Sequence, residues 1–533
     1  MNSGIYQRTE INNQNVLSVV YTKDTTKRSN YLCPLVYIFN NHNVYITRTA
    51  LIFQRSGERI LLHLKMEDFT LVIPTYRLKD VAQTVRAYRD NFDRYGYDIP
   101  IIVFDDSSPE VYGHDFPKFA AVVPSNTFYV GPPEKALFID QLVSRIGIQH
   151  EETIRRLLRP SYGGNRNFTI LYTLGSRFMS ADDDMRPEGL EFKERPALDQ
   201  QEVLRGIFLP ESSLNDNITH REYDLAAAFL EVLGKAVQEV DASHYLLGRT
   251  LIDNLNELYS NTTSQKIHRN LENKILVQAG DVNPNARILV AQTFKTGLAD
   301  LDATDFADDV LSTQRDSPAL RYIALNHRPC ITATNWRFDT AVAGYDNCTG
   351  LPPFIPTSLR TEEYILRLLV QHSQFAAAHV GAAQLHLRTT SMRKSLGYDI
   401  YNEALVAVLR QKLRHLVHDI KETTITFQHD GHITSRDALK MIDIARPYHE
   451  AAFERSKNAP DLKSSAYFAH FATELQEEFC GFDLSAFRRK AESIMVQELE
   501  TIIKAMEIWP SILNLASSIQ AEGKMPFREL ISP

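Results

Sequence analysis

Residues 180–187 read SADDDMRP, with Asp182, Asp183 and Asp184 in a row. Adjacent carboxylates raise one another's proton affinity, so such a cluster is costly at neutral pH unless a cation sits among them. Alternate residues of a turn, Asp182 and Asp184, can aim at one ion while Asp183 points elsewhere. Oxygen ligation suits Mg²⁺ or Mn²⁺, which keep positions for water and substrate phosphates. A solvated acidic turn, or a helix N-cap with Pro187 in the first turn, has the same residues. The motif therefore gains meaning only from its surroundings.

Three other groups have residue types suited to chemistry. An apolar run in IPIIVFDDSS stops at Asp105, Asp106, Ser107 and Ser108. RTEEYIL places Glu362 and Glu363 at the start of a helical pattern, where the helix dipole alone already favours acids. HLRTTSMRK gathers His386, Arg388, Arg393 and Lys394, the most suggestive basic cluster in the chain, although a solvated face explains the three basic residues nearly as well. His415, His418, His429 and His432 lie in amphipathic helix and polar loop and read as surface histidines.

The elements that must position these groups alternate. FTLVIP is a short apolar run of buried-strand type. LKDVAQTVRAYRDNF then spaces Val81, Val85, Tyr88 and Phe92 as one helix face, and IPIIVF is a second buried strand. Buried strands alternating with amphipathic helices predict a doubly wound α/β sheet flanked by helices. In such sheets ligands bind beyond the carboxyl ends of the strands, which is where Asp105 and Asp106 fall. Residues 1–65 form an N-terminal extension of open status: an appendage, or sequence upstream of a true start at Met66. A catalytic domain is expected over 66–397. Within it, 188–320 reads as an insertion or acceptor subdomain with a helical centre, YDLAAAFLEVLGKAVQEV. From 398 to 533 the chain reads as nearly all helix, with Leu405, Val408, Leu409, Leu413, Leu416 and Ile420 on one stripe.

The chain has 533 residues, 44% of them hydrophobic and 23% charged, as in a globular protein with a well-buried core. A net charge of −8 gives no support to nucleic acid or an anionic membrane as partner. Cys33, Cys330, Cys348 and Cys480 show no C-x-x-C spacing, which argues against a zinc site or disulfide framework and fits a reducing compartment. With no leader pattern and no transmembrane run, the expected location is cytoplasmic. Asn217-Ile-Thr and Asn261-Thr-Thr are then chance sequons.

Four separated pieces, in order, resemble the family 2 glycosyltransferases with the GT-A fold. FTLVIPTYRLKD is similar to their opening strand and loop. PIIVFDDSS resembles the second strand, and GGNRNFTILYTLGSRFMSADDDMRP resembles the Arg-Asn helix leading to the aspartate motif. GYDN, RTEEYILRLL and QLHLR resemble the late Gly-aromatic-Asp, the acidic helix start and the histidine beyond it. The likeness covers about residues 69–390, and only the gap between Asp184 and Glu362 is longer than usual.

The resemblance implies a GT-A type doubly wound mixed sheet and transfer of a sugar from a nucleotide-sugar donor to an acceptor hydroxyl. It places Pro74, Thr75, Tyr76, Asp105 and Asp106 at the base and ribose. Arg166 and Asn167 would line the same cleft with Asp183, and Arg388, Arg393 and Lys394 would assist at the diphosphate. Asp182, Asp184 and His386 would hold Mn²⁺ or Mg²⁺. Glu363, with Glu362 beside it, would deprotonate the acceptor. Glutamate stands there where the family has aspartate, which leaves the identity of the base open. Two rivals remain: a silent GT-A-like binding module, and a sugar-phosphate nucleotidyltransferase, which LVIPTYRLKD disfavours by having no glycine. The C-terminal helices are open to three roles: packing on the catalytic domain, homo-oligomer formation, or holding the acceptor.

Overall fold

The computed structural model describes residues 35–40, 43–48, 69–194, 197–210, 218–253, 272–298, 303–313, 321–334, 339–359, 362–371, 375–387, 395–422 and 431–530. Strands β1 (Leu35–Asn40) and β2 (Asn43–Arg48) form an antiparallel pair of their own. The remainder of the expected N-terminal extension through residue 65 lies outside the described residues, as do Arg388, Arg393, Lys394 and His429.

The chain then alternates. Strand β3 (Phe69–Thr75) leads to helix α1 (Leu78–Tyr95), β4 (Ile101–Asp105), α2 (Pro109–Ala120), β5 (Thr127–Val130), α3 (Pro132–Ile146), α4 (Glu151–Leu157), α5 (Tyr162–Tyr172), β6 (Arg177–Ser180) and the two-residue β7 (Met185–Arg186). Strands β6, β3, β4 and β5 run parallel and adjacent. Side-chain alternation explains why they are apolar on both faces. Phe69, Leu71, Ile73, Ile101 and Val103 pack with Val81, Val85, Tyr88 and Phe92 of α1. Val72, Ile102, Phe104 and Val130 pack on the other face with Phe138 of α3 and Phe168 of α5. A sheet covered on both sides has no polar face to show, hence the unbroken runs.

The segment expected as an insertion is mainly strand. It supplies β8 (Glu188–Phe192), β9 (Glu202–Pro210), β10 (Ile218–Glu222), β11 (Leu246–Asp253), β12 (Glu272–Ala279) and β13 (Arg287–Leu298). Its expected helical centre is only α6 (Leu225–Leu230) followed by turns. Gly234, with φ +77°, ends any helix there, and Val237 and Val240 turn inward instead. After α7 (Ala303–Thr313) come β14 (Arg321–His327), β15 (Cys330–Thr334), β16 (Ala343–Asp346), α8 (Glu362–Val370) and β17 (Phe375–His386). All join β3–β6 in one mixed 16-stranded sheet, through β13 against β16 and β16 against β6.

The C-terminal region is helical: α9 (Leu396–Glu422), α10 (Ser435–Asn458), α11 (Leu462–Glu478) and α12 (Leu484–Ala521). These helices share one hydrophobic core with α3 and α5. The chain then returns to the sheet, where β18 (Arg528–Leu530) pairs antiparallel with β5 and covers that edge. No described helix is long and apolar enough to cross a membrane.

Candidate active site

Strand β6 runs parallel to β3, so the loop that follows it opens at the same end as Thr75 and Asp105. That loop carries Asp182, Asp183 and Asp184. The topology therefore brings two of the four chemical groups, Asp105 with Asp106 and the acidic loop, to the carboxyl ends of the parallel strands. A third arrives through β7: Met185 pairs with His386 at the end of β17, which sets His386 beside Asp184. Glu362 and Glu363 come in on α8, which meets the start of α5 at Gly163.

The three aspartates have three different surroundings. Asp183 is buried. Thr75 Oγ1 donates to its Oδ2 at 2.6 Å, Arg77 Nε donates to the same oxygen at 3.1 Å and Arg77 Nη2 donates to Oδ1, while Thr84 Oγ1 donates to its backbone carbonyl. Burial raises its proton affinity, with Arg77 and Thr75 pulling the other way. Asp184 accepts from Arg77 Nη2 at 2.8 Å, and its Oδ1 lies 3.6 Å from His386 Nε2. Burial pushes the Asp184 carboxyl up, but His386 and Arg77 together outweigh it and hold the group well below the usual carboxylate range. Asp182 accepts from Arg166 Nη2 at 2.9 Å. Its side chain is 37% exposed. Burial pushes it up to about 6, with Asp184, Asp183 and Asp339 adding and Arg166 opposing.

Arg166 reaches the site because α5 starts tightly. A Cβ on Gly164 would stand 1.9 Å from the Arg159 carbonyl oxygen, and one on Gly163 would meet the Pro356 backbone at 3.1 Å. Only glycines allow so close an approach. The same guanidinium acts on Glu363, the expected base. Thr340 donates to Glu363 Oε1 through both its backbone N–H, at 3.2 Å, and its hydroxyl. Burial pushes Glu363 up to about 7, Arg166 pulls it back, and Asp339 and Glu362 push further. A carboxylate poised near neutrality suits a general base. Glu362 is buried beside Gly163.

At the strand ends, Asp105 is wholly buried. Ser107 donates to its Oδ1 through N–H at 2.8 Å and Oγ at 2.6 Å, and Tyr129 donates to Oδ2 at 2.7 Å. It fixes the turn and presents no face to a ligand. Asp106 accepts from Lys135 Nζ at 2.5 Å and from Ser161 N–H at 3.0 Å. Burial raises Asp106 and lowers Lys135, each held back by the other. Tyr76 is 52% exposed, with the Arg77 guanidinium 5.3 Å from its ring centre. Pro74 is half-buried at the end of β3. Asn167, expected in the cleft, faces away: its amide bridges Leu157 and Phe354. Asn165 takes the cleft position instead, donating to the Phe104 carbonyl at 3.0 Å and accepting from Lys135 at 2.6 Å.

Arg77, Lys135, Asn165, Asp339 and Thr340 were not singled out from the sequence. Arg77 stands inside PTYRLKD and Asn165 inside GGNRN, so both were within reach of the motifs. Asp339, in the turn before β16, pairs with Lys295 of β13 at 2.8 Å, a contact between distant segments that no local pattern announces.

Do these residues fit a divalent ion? Among the described residues no group of three His, Cys, Asp or Glu is assembled around one point. Asp184 and His386 are together, while Asp182 is turned to Arg166. The gap of 3.6 Å is too long for a hydrogen bond. The His386 ring is held by its Nδ1 against the Leu298 carbonyl at 2.9 Å, the kind of anchor that orients a ligating imidazole. The carboxylate oxygens suit Mn²⁺ or Mg²⁺, and the one imidazole nitrogen favours the softer Mn²⁺ of the two. Acids also prevail locally: among the described residues Asp182, Asp183, Asp184, Asp339, Glu362 and Glu363 meet Arg77, Arg166, Lys295 and, acting on Asp184, Arg186 as permanent cations.

Fold and site define an α/β protein with a cluster of acidic side chains at the carboxyl ends of its parallel strands. No family model and no curated protein matches the chain. Among solved structures, S. aureus TarS is similar at 10% identity and a TM-score of 0.23, over 77% of this chain and 55% of TarS. Its fragment 1–349 is similar at 10% identity and a TM-score of 0.23, over 78% of this chain and 91% of the fragment. The chain spans about half the length of the TarS structure. Similarity at this level carries no argument, and the reading of the site rests on its own residues.

Proposed function

We propose that the chain is a GT-A type glycosyltransferase that moves a sugar from a nucleotide-diphosphate sugar to an acceptor hydroxyl. One observation carries this reading: the acidic loop 182–184 lies at the ends of β3, β4 and β6, joined to Glu363 through Arg166 and to His386 through Asp184. In this reading the nucleoside lies over Thr75, Tyr76 and Asp106, and the diphosphate lies toward Asp184.

Asp184 and His386 would hold Mn²⁺ or Mg²⁺, with Asp182 joining them on release from Arg166. Such an ion supplies Lewis-acid stabilisation of the leaving diphosphate. The rest of the work falls to side chains. Glu363 takes the proton of the acceptor hydroxyl as its oxygen bonds to the sugar carbon, and the bond from that carbon to phosphate breaks to release the nucleoside diphosphate. Thr340 holds Glu363 by Oε1, and among the described residues Oε2 accepts no hydrogen bond, so that oxygen is the one to take the proton. Arg166 opposes the protonation of both Glu363 and Asp182.

Arg77's hold on Asp183 and Asp184 favours a second reading, a GT-A-like module that binds a nucleotide sugar without turnover. Incubation with a panel of nucleotide sugars, with and without Mn²⁺, separates them. Metal-dependent release of nucleoside diphosphate supports transfer chemistry; binding seen by thermal shift without release supports the silent module; neither effect rejects both.

A further inference from the structure

Arg77 is fixed at its backbone and forked at its tip. Its N–H donates to Thr75 Oγ1 at 2.8 Å, and its carbonyl accepts from Asp80 and Val81 at the start of α1. Nε holds Asp183 at 3.1 Å, while Nη2 bridges Asp183 and Asp184. The two carboxylates differ. Asp183 is locked by Thr75 as well and has 4% of its side chain exposed, whereas Asp184 has 14% and the Arg77 side chain 25%. The arginine is therefore anchored on the buried acid and touches the more open one only with its outer nitrogen.

Asp184 is also the acid that faces His386, and two cations cannot hold one carboxylate without mutual repulsion. An ion at Asp184 would break the Nη2–Asp184 contact and leave both Nε and Nη2 on Asp183. The N–H so freed would stay at the site, where, in the reading above, a diphosphate accompanies the ion. A guanidinium fork matches phosphate oxygens in geometry as well as charge. We infer that Arg77 is a positioning residue that competes with the divalent cation for Asp184 in the empty site and turns to the donor's diphosphate once the cation is bound. The inference rests on the glycosyltransferase reading above. It makes metal and diphosphate binding mutually reinforcing, since each relieves the cost of the other.

The test compares wild type with Arg77→Met in two titrations. The first follows Mn²⁺ alone, by the electron paramagnetic resonance signal of the free ion. The second follows preformed Mn²⁺–UDP and Mn²⁺–GDP complexes by calorimetry. The variant is expected to bind Mn²⁺ alone about tenfold tighter and the preferred complex about tenfold weaker, the scale of one charge-assisted contact. Opposite signs are the signature. A purely structural arginine would weaken both, and that result, or no change in either, overturns the inference while leaving the metal reading intact. If neither protein binds Mn²⁺ or its complexes, the metal reading fails and the inference with it. Arg77→Lys covers the case where methionine unfolds the loop: it keeps the charge without the fork, so both effects should appear in the same directions and smaller. Loss of both affinities in the lysine variant also overturns the inference.

Discussion

Arg166 stands between Asp182 and Glu363. Its Nη2 donates to Asp182 Oδ1 at 2.9 Å, and its charge opposes the upward push that burial exerts on Glu363. One cation thus opposes the protonation of two carboxylates. Arg166→Met is expected to raise the proton affinity of both. The acid limb of the pH–rate profile should move to higher pH, and the rate at pH 7 should drop about tenfold for each unit moved. Arg166→Lys should show a smaller displacement. An unmoved acid limb in the methionine variant would remove Arg166 from this role.

Glu363 makes stability and activity depend on pH in opposite directions. Its folded value of about 7 lies above the ordinary 4.5, so between those values the native state keeps a proton that the unfolded chain has released. Its contribution to stability is full below 4.5 and is lost as pH rises through about 7. Activity that needs the ionised base rises over the same interval. Glu363→Gln should lower turnover by about 10²–10⁴-fold. Its melting temperature should exceed that of wild type most at about pH 8 and match it at about pH 4. A melting difference independent of pH would mean that Glu363 is not a perturbed carboxyl.

Asp183 and Asp184 are neighbours with separable roles. Asp183 is a buried anchor for Thr75 and Arg77, so Asp183→Asn breaks a buried charge pair, at a cost of about 3–5 kcal/mol, and should lower the melting temperature sharply. Asp184→Asn should melt closer to wild type but lose the Mn²⁺-dependent thermal shift produced by a nucleotide-sugar donor. An Asp184→Asn protein with undiminished donor affinity in Mn²⁺ would count decisively against the cation site.

The parallel strands were legible because their apolar runs and the helical spacing in α1 are local. So was the acidic loop, whose position at the strand ends follows from β6 running parallel to β3. The face of α5 was harder. Asn165 and Asn167 lie about 200° apart around a helix of 3.6 residues per turn, so only one can meet the strand ends. The Arg-Asn pattern pointed to Asn167, and packing chose Asn165. The segment YDLAAAFLEVLGKAVQEV misled for a similar reason: its composition favours helix, but Gly234 is set left-handed and the valines beyond it serve the sheet. Arg77 drew no notice because its partners are more than 100 residues away in the chain.

The C-terminal helices were open to several roles, and their contacts point to one that bears on the base. Trp509 Nε1 of α12 donates to the Leu351 carbonyl at 2.7 Å, and Glu498 Oε1 accepts from Ser358 N–H at 3.0 Å. Asn167 grips Phe354 from the other side of the same loop. That loop, 347–359, leads toward α8 and therefore toward Glu363. Glu498→Ala removes the two hydrogen bonds that Glu498 accepts from the N–H and hydroxyl of the exposed Ser358, at a cost of about 0.5–1.5 kcal/mol each. Because the loop leads to the proposed base and not to the strand ends, turnover should fall more than donor affinity does. Trp509→Phe loses the hydrogen bond and part of the buried ring, so it should cost more than the about 1 kcal/mol of one hydrogen bond and less than the about 3–5 kcal/mol of Trp509→Ala. Kinetics at saturating donor, set beside calorimetric donor affinity, checks the division. Equal losses in both would make α12 a general support of the fold and detach it from Glu363.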